Sequence, residues 1–347
     1  MKVCYFGIYD REYSRNKILI SGLTKNGVEV IECVSQEKGI WKYLDLFRKH
    51  WDMRNSYDVM VVGYPGFQAM ILARFITSKP IVFDAFLSLY DSMVLDRAQV
   101  HPSSLRALYF WYLDKISMTL AEVVLLDTNE HIKFVSREFN IGDDKFRRIF
   151  VGADTAVFYP RTMSANNVFL VSFYGHFIPL QGVEYIVRAA KLLEGNSDIV
   201  YEIIGDGQEK KKILDLAEEL QVKNIRFIGN VPLAMLATKM AESDVCLGIF
   251  GNTDKAKRVI PNKVFECIAM SRPVVTADTK AIREMFTDDE IFFAETANPQ
   301  SISDAILKVK SNKENAEAVA KRGYDKLVST ASIDMLGSEL KNILEAL

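Results

Sequence analysis

Short apolar runs alternate with longer amphipathic segments along the first half of the chain. Runs such as Val3–Gly7 and Val59–Gly63 are almost wholly apolar, which is typical of strands buried on both faces of a parallel sheet. Segments such as Asn16–Lys25 and Leu105–Leu120 carry apolar residues at helical spacing. Alternating strands and helices of these lengths predict a doubly wound α/β domain.

The same alternation starts again after a polar stretch without periodicity, residues 161–167. The second series begins with the strand Val168–Tyr174, and a long helix is predicted over Ile333–Leu347. We therefore predict α/β architecture with two doubly wound, Rossmann-like domains facing a central cleft. Their ranges are 1–160 and 161–330, and residues 331–347 form a C-terminal helix that packs back on the first domain.

Composition and charge narrow the class of protein. A chain of 347 residues is longer than one core usually serves, and 49% hydrophobic residues describe a globular protein. The 43 basic and 45 acidic side chains leave a net charge of -2, so nucleic acid is not an expected partner. Four separated cysteines, no export signal and no membrane-spanning apolar stretch predict a cytoplasmic protein with reduced thiols.

Glycine stands at the start of three loops that follow predicted strands of the second domain. These loops are Gly175–Gly182, Gly205–Gly207 and Gly229–Pro232. Glycine allows a ligand to approach the backbone closely and exposes amide donors, which suits a phosphate or a nucleotide. The alternative interpretation, that each loop is only a tight turn, applies to any one of them alone.

A fourth loop concentrates positive charge immediately before a predicted helix. Residues 254–263 contain four basic side chains, and a helix N-terminus with cations beside it binds anions. Lys255 and Lys257 are also explained as a solvated charge run. Lys263 and Glu266 lie in an otherwise apolar run, where a carboxylate needs a partner, so we assign them a function.

The order and spacing of these motifs resemble those of the retaining glycosyltransferases of the GT-B fold, family 4. The segments that carry the resemblance are Tyr174–Ile186, Gly205–Gly207, Phe227–Gly229 and Pro261–Val275, together with Val151–Pro160 between the domains. Each pattern is weak by itself, but their succession is specific and covers most of the chain.

The resemblance implies a hexosyltransferase that uses a nucleotide diphosphate sugar as co-substrate, retains the anomeric configuration and needs neither metal nor cofactor. It implies that Glu266 binds the ribose hydroxyls, that the backbone of Ile228–Val231 holds the base, and that amides after Gly175 contact the phosphates or the sugar. The four histidines show no metal-binding spacing, and no DxD motif occurs. The predicted donor-binding residues are Gly175, His176, Gln181, Gly182, Gly205, Gly229, Asn262, Lys263 and Glu266.

The chain departs from the family pattern at three positions. The family commonly has two glutamates eight positions apart, and Arg258 stands in place of the first. An arginine and a lysine of the first loop are replaced by His176 and Gln181. We therefore predict that Lys263 and Arg258 supply the catalytic charge for the leaving diphosphate. A nucleotide-sugar epimerase and a non-catalytic nucleotide-sugar-binding homologue remain alternatives, whereas a dinucleotide-dependent oxidoreductase lacks its glycine fingerprint.

The acceptor is expected at the strand ends of the first domain. The loop after the first strand holds the predicted acceptor-binding residues Tyr9, Arg11, Arg15 and Asn16. Asp84 follows the fourth strand, where a carboxylate accepts a proton from the acceptor or holds a sugar hydroxyl. The alternative for Asp84 is a helix cap.

Two segments, Trp41–Trp51 and Leu105–Tyr112, contain all three tryptophans and place cations between aromatic residues. Such segments bind a membrane surface, which suits a lipid-linked acceptor, but aromatic stripes at helical spacing also form cores. The sequence thus predicts a cytoplasmic transferase of polysaccharide or glycolipid biosynthesis. Its acceptor is a glycan or a lipid-linked molecule, and peripheral contact with the inner membrane face is one interpretation.

Overall fold

The computed structural model describes residues 1–161 and 167–347, and these form two compact units. Unit 1 comprises Met1–Gly152 and Ala331–Leu347, and unit 2 comprises Ala153–Thr330. The change of unit falls at Gly152–Ala153, whereas the sequence analysis places it after residue 160. Most of the polar stretch used for that prediction, residues 162–166, lies outside the described residues.

Unit 1 contains a parallel sheet of six strands, flanked by helices. The strands are β1 (Lys2–Gly7), β2 (Glu29–Val34), β3 (Val59–Val62), β4 (Ile81–Phe86), β5 (Val123–Leu126) and β6 (Phe146–Arg148). Their order is β2-β1-β3-β4-β5-β6, and every neighbouring pair is parallel. The helices between them are α1 (Ser14–Lys25), α2 (Trp41–Met53), α3 (Phe67–Ile76), α4 (Leu105–Leu120) and α5 (Asn129–Phe139).

Unit 2 repeats this architecture. Its strands are β7 (Phe169–Tyr174), β8 (Ile199–Ile204), β9 (Ile225–Ile228), β10 (Val245–Leu247), β11 (Val274–Ala277) and β12 (Phe292–Ala294). They form a parallel sheet in the order β12-β11-β10-β7-β8-β9. The helices are α6 (Val183–Leu192), α7 (Lys210–Glu219), α8 (Leu233–Ala241), α9 (Asn262–Ala269), α10 (Pro299–Ser311) and α11 (Lys313–Ala331). The predicted α/β class with two doubly wound sheets is confirmed.

Several helices begin where a polar side chain caps the first turn. Ser104 accepts a hydrogen bond from the Ala107 amide at 3.1 Å before α4, and Thr128 accepts one from His131 before α5. These caps satisfy amides that have no partner within the helix. The residue after α5, Asn140, has a left-handed conformation that ends that helix.

A further helix, α12 (Ile333–Glu345), belongs to unit 1 and packs on α1. The two helices meet at Gly22 and Gly337, where a Cβ atom on Gly337 would lie 2.1 Å from the carbonyl carbon of Gly22. Only glycine permits this backbone approach. Right-handed crossovers place α1 on one face of the sheet and α2 to α5 on the other.

Among residues 1–161 and 167–347, no helix combines the length and apolar character needed to cross a bilayer.

Candidate functional site

In unit 2, two glycines bring the ends of β7 and β8 into backbone contact. Gly175 follows β7 with φ +151°, and Gly205 follows β8 with φ +139°. A Cβ atom on Gly205 would lie 2.0 Å from the Gly175 carbonyl oxygen, so no other residue fits there. The two loops therefore present closely spaced backbone at the carboxyl edge of the sheet, where ligands of such sheets bind.

These loops line a cavity of about 240 Å³ within unit 2. The wall includes residues that follow β7, β8 and β9, and these three strands are neighbours in the sheet. A cavity of this size accommodates part of a nucleotide, and Asn230 contributes a polar side chain. The lining residues are Tyr174, Gly175, His176, Ile204, Gly205, Asn230, Val231 and Leu236.

Lys263 extends from α9 to the Gly175 loop and is buried there. Its Nζ atom donates a hydrogen bond to Oε1 of Gln181 and lies 3.6 Å from the centroid of the Phe173 ring. A Cβ atom on Gly175 would lie 2.8 Å from the same Nζ. No carboxylate among the described residues forms an ion pair with it, and burial lowers the pKa of Lys263 well below its usual value.

Glu266 lies one turn further along α9 and is also buried. Burial, with a smaller contribution from the negative charge of Asp154, raises the pKa of Glu266 to about 8. Within the described part of the chain its carboxyl group has no ion-pair partner. Lys263 and Glu266 are thus an amino group and a carboxyl group buried on α9, each destabilised in its charged form by burial, and neither belongs to the cavity wall.

The other predicted donor residues lie at different depths. His176 and Gly229 are exposed. Gly182 lies directly before α6, and Asn262 is the first residue of α9. Arg258 is partly buried in the loop before α9 and is absent from the cavity wall.

The two lysines interpreted above as a solvated charge run differ from each other. Lys257 is exposed and pairs with Asp254 at 3.2 Å, as that interpretation predicts. Lys255 is buried, so the interpretation as a solvated side chain is wrong for this residue. Its neighbour Ala256 belongs to a small buried apolar cluster, which holds this part of the loop against the protein.

In unit 1 the structure places Arg15 and Asp84 in a fully buried ion pair. The guanidinium group donates to both carboxylate oxygens at 2.9–3.2 Å, and its Nη1 donates to the carbonyls of Ile149 and Phe150 at 2.9 Å. Neither side chain is solvent-accessible. The sequence analysis predicts a catalytic role for Asp84 and an acceptor-binding role for Arg15, whereas the structure engages the polar atoms of both side chains inside unit 1.

The remaining acceptor residues are also partly used within the protein. Tyr9 is buried and donates a hydrogen bond to Glu32 at 3.0 Å, and Arg11, which is exposed, pairs with the same carboxylate at 3.1 Å. Asn16 is buried and its Nδ2 donates to the carbonyls of Asp10 and Tyr64 at 3.0 and 2.6 Å. Arg11 is thus the one predicted acceptor residue with an exposed side chain.

The sequence analysis missed three aromatic residues at the same edge of unit 1. Tyr13 lies in the segment after β1, Tyr64 follows β3, and Phe86 is the last residue of β4. Their ring centroids lie 5.1–6.4 Å apart. The available signal was an aromatic residue at the end of each of these three strands or in the loop that follows it, because parallel strands end at one edge of the sheet.

The aromatic segments considered for membrane contact present many apolar side chains to solvent. Trp41 and Trp51 of α2 are 66% and 55% exposed, and Leu105 of α4 is 87% exposed. Phe75 at the end of α3, which packs between those helices, is 84% exposed. The core interpretation therefore fails for these side chains, although Leu46 and Trp111 of the same helices do pack inward.

Two six-stranded parallel sheets, each flanked by helices, have the architecture of the GT-B class of fold. Residues 161–326 match the family described as "Glycosyl transferases group 1". Among solved structures, HepE from Anabaena in complex with UDP and glucose is 14% identical. Each chain is covered completely, with a TM-score of 0.73. The predicted GT-B fold is confirmed.

Two curated relatives are more similar in sequence over shorter segments. An uncharacterized glycosyltransferase of Methanocaldococcus jannaschii is 24% identical over 44% of this chain and 41% of its own length. The probable glycosyltransferase WbjE of Pseudomonas aeruginosa is 30% identical over 31% of this chain and 26% of its own length. The matches thus span less than half of each relative.

Proposed function

We propose that the protein is a retaining, metal-independent hexosyltransferase of family 4. In this proposal it transfers a sugar from a nucleotide diphosphate sugar to a glycan or lipid-linked acceptor in polysaccharide or glycolipid biosynthesis. Unit 2 binds the donor and unit 1 the acceptor. UDP is the first nucleotide to consider, because the similar HepE structure contains UDP and glucose.

The position of Lys263 is the observation that carries the proposal. Its ammonium group lies at the Gly175 loop, against Gln181, where the family commonly has a lysine. In this proposal Lys263, a residue of α9, supplies the positive charge that the first loop lacks. Backbone amides beside a buried cation form a site for a diphosphate.

The proposed chemistry requires stabilisation of a leaving group. Breaking the bond between the sugar and the diphosphate passes through an oxocarbenium-like state while negative charge grows on the phosphate oxygens. Lys263 is in place to stabilise that charge, and a water-poor environment strengthens the interaction. Arg258, in the loop before α9, is the second proposed cation.

The ion pair in unit 1 has a positioning role in this proposal. Arg15 joins Asp84 to the backbone of residues 149–150, so it fixes the end of β4 against the segment that follows β6. We therefore assign the acceptor contacts to the exposed groups of this edge rather than to Asp84.

Calorimetric titration with UDP, GDP and ADP tests the donor site. We expect UDP to bind the wild type with a Kd of about 1–100 μM, which corresponds to roughly 5.5–8 kcal/mol. Glu266→Ala should weaken binding at least about tenfold, because it removes the polar partner proposed for the ribose. Glu266→Gln at pH 7 should bind nearly as well as the wild type, because burial keeps most of the carboxyl group protonated at that pH.

Lack of binding by all three nucleotides would contradict the proposal, as would unchanged binding by Glu266→Ala. Incubation with UDP-glucose and product analysis by NMR separates the alternatives. An epimerase changes the configuration of the sugar without an acceptor, and a non-catalytic homologue leaves the donor intact.

The exposed aromatic face of unit 1 supports a membrane-bound acceptor in this proposal. Besides Trp41, Trp51, Phe75 and Leu105, the face carries cations that lie over aromatic rings, such as Arg54 over Trp51 at 4.2 Å. Apolar side chains that insert between lipids, with cations beside them, suit an anionic bilayer surface.

Sedimentation with vesicles that contain phosphatidylglycerol tests this surface. We expect the wild type to sediment at low salt and Trp41→Ser/Trp51→Ser to lose at least about fivefold in vesicle affinity, because two interfacial anchors are removed. Leu192→Ser, a matched control at an exposed apolar position of α6, should sediment like the wild type. No sedimentation of the wild type, or equal sedimentation of all three proteins, would contradict the membrane proposal.

A further inference from the structure

The end of β4 holds an aromatic residue in a strained conformation. Phe86 has φ +59°, a left-handed value that is costly for a residue with a bulky side chain. The amide of Leu87 donates to the carbonyl of Ala85 at 2.6 Å, so Phe86 is the centre of a three-residue turn. The register between β4 and β5 shifts between Asp84 and Phe86, which turns the Phe86 side chain away from its regular position.

This turn brings the Phe86 ring against two tyrosines. The Tyr64 centroid lies 5.1 Å away with the rings nearly perpendicular, and Tyr13 lies 5.3 Å from Tyr64 at a tilt of 38°. Phe86 is almost buried, whereas Tyr13 is 37% exposed and Tyr64 is partly exposed. Phe86 thus supports the other two rings from the protein side.

Buried polar groups fix the loops that carry these rings. Asn16 joins the carbonyl of Asp10 to that of Tyr64, and the amide of Tyr13 donates to the same Asp10 carbonyl at 3.2 Å. The Arg15 guanidinium carbon lies 5.4 Å from the centroid of Phe86. Two polar residues of α1 therefore hold the aromatic rings in place before any ligand binds, which reduces the entropy lost on binding.

We propose that Tyr13 and Tyr64, supported by Phe86, form a stacking site for a pyranose ring. One face of a pyranose presents C–H groups while its edge carries hydroxyls, and a tyrosine offers a flat apolar ring with a polar tip. If the aromatic residues served only to shield the Arg15–Asp84 ion pair from water, Phe86 would be sufficient, because it already lies over the guanidinium group. The two tyrosines extend the aromatic surface to solvent beyond that cover.

That this sugar belongs to the acceptor rests on the proposed function. The site lies at the carboxyl edge of the unit 1 sheet, so it assigns a glycan, rather than a bare lipid phosphate, as the acceptor class. It also gives Arg15, Asn16 and Asp84 one role in common. They are positioning residues that act through the aromatic rings.

Saturation-transfer NMR with methyl α-D-glucopyranoside, methyl α-D-mannopyranoside and methyl β-D-galactopyranoside tests the stacking site. We expect at least one of them to receive saturation mainly on the C–H groups of one face. Tyr13→Ala should reduce its affinity about tenfold, and Tyr13→Phe should retain it, because the ring makes the contact. Tyr109→Ala, which removes a similarly exposed tyrosine of α4, should leave it unchanged.

UDP titration of the same samples separates this inference from the proposed function. UDP binding by Tyr13→Ala at wild-type affinity would show that this variant is folded. Absence of a signal from all three glycosides, or equal signals from the wild type and Tyr13→Ala, would overturn the stacking site. A glycoside signal that depends on Tyr13 in a protein that binds none of UDP, GDP and ADP would support the stacking site and overturn the transferase function.

Discussion

Lys263→Met is expected to weaken UDP binding about a hundredfold, which corresponds to roughly 2.7 kcal/mol. The variant removes the cation at the Gly175 loop and leaves a side chain of similar length. Because Lys263 is buried without a carboxylate partner among the described residues, its replacement should not lower the free energy of unfolding. Calorimetry and urea denaturation measure the two effects.

Lys257→Met is the matched control for this variant. Lys257 belongs to the same basic loop but is exposed and pairs with Asp254, so UDP affinity should stay within about twofold of the wild type. A similar loss in both variants would mean that the loop acts only through its general charge. An unchanged affinity in Lys263→Met would remove the main support for the donor site.

The lowered pKa of Lys263 also predicts a proton linkage. A bound diphosphate favours the ammonium form and raises this pKa, so UDP binding should take up protons between the pKa of the free site and that of the complex. Affinity should fall as the pH rises through that window. Titrations in buffers of different ionisation enthalpy measure the uptake, and Lys263→Met isolates the contribution of the lysine because Glu266, with a pKa of about 8, is retained.

Arg15→Met is expected to lower the free energy of unfolding by about 3–5 kcal/mol, because it leaves the Asp84 carboxylate buried without its partner. Burial lowers the pKa of Arg15, but the charge and hydrogen bonds of Asp84 outweigh this effect, so the guanidinium group remains charged. Urea denaturation monitored by circular dichroism measures the change.

The double variant Arg15→Met/Asp84→Leu should recover a large part of that loss, since no charge is then buried. Recovery is expected to be incomplete, because the carbonyls of Ile149 and Phe150 still lose their donor. Additive losses in the double variant would indicate that the two side chains stabilise unit 1 independently.

Local periodicity was sufficient to predict most elements of the fold. The bounds of the helical segment Leu105–Leu120 are the same in the sequence analysis and in the structure. The segment of α2 stood out only as an aromatic stripe, because its exposed tryptophans obscure the amphipathic pattern.

Some features of the candidate site could be predicted from the sequence and others could not, because their contacts differ in how far apart the partners lie along the chain. Gly175 and Gly205 follow adjacent strands, so their meeting at one sheet edge could be predicted. The burial of Asp84 depends on Arg15, 69 positions away, and one sequence gives no sign of that partner. The strained turn at Phe86 and its two tyrosines likewise depend on tertiary contacts that override local preference.

The contact between Gly22 and Gly337 has a consequence for biosynthesis. Unit 2 is one continuous segment, whereas unit 1 needs a helix that is translated only after the whole of unit 2. On the ribosome, the unit that starts to emerge first is therefore completed last. Until α12 is synthesised, the side of α1 that contains Gly22 therefore remains uncovered in a nascent chain.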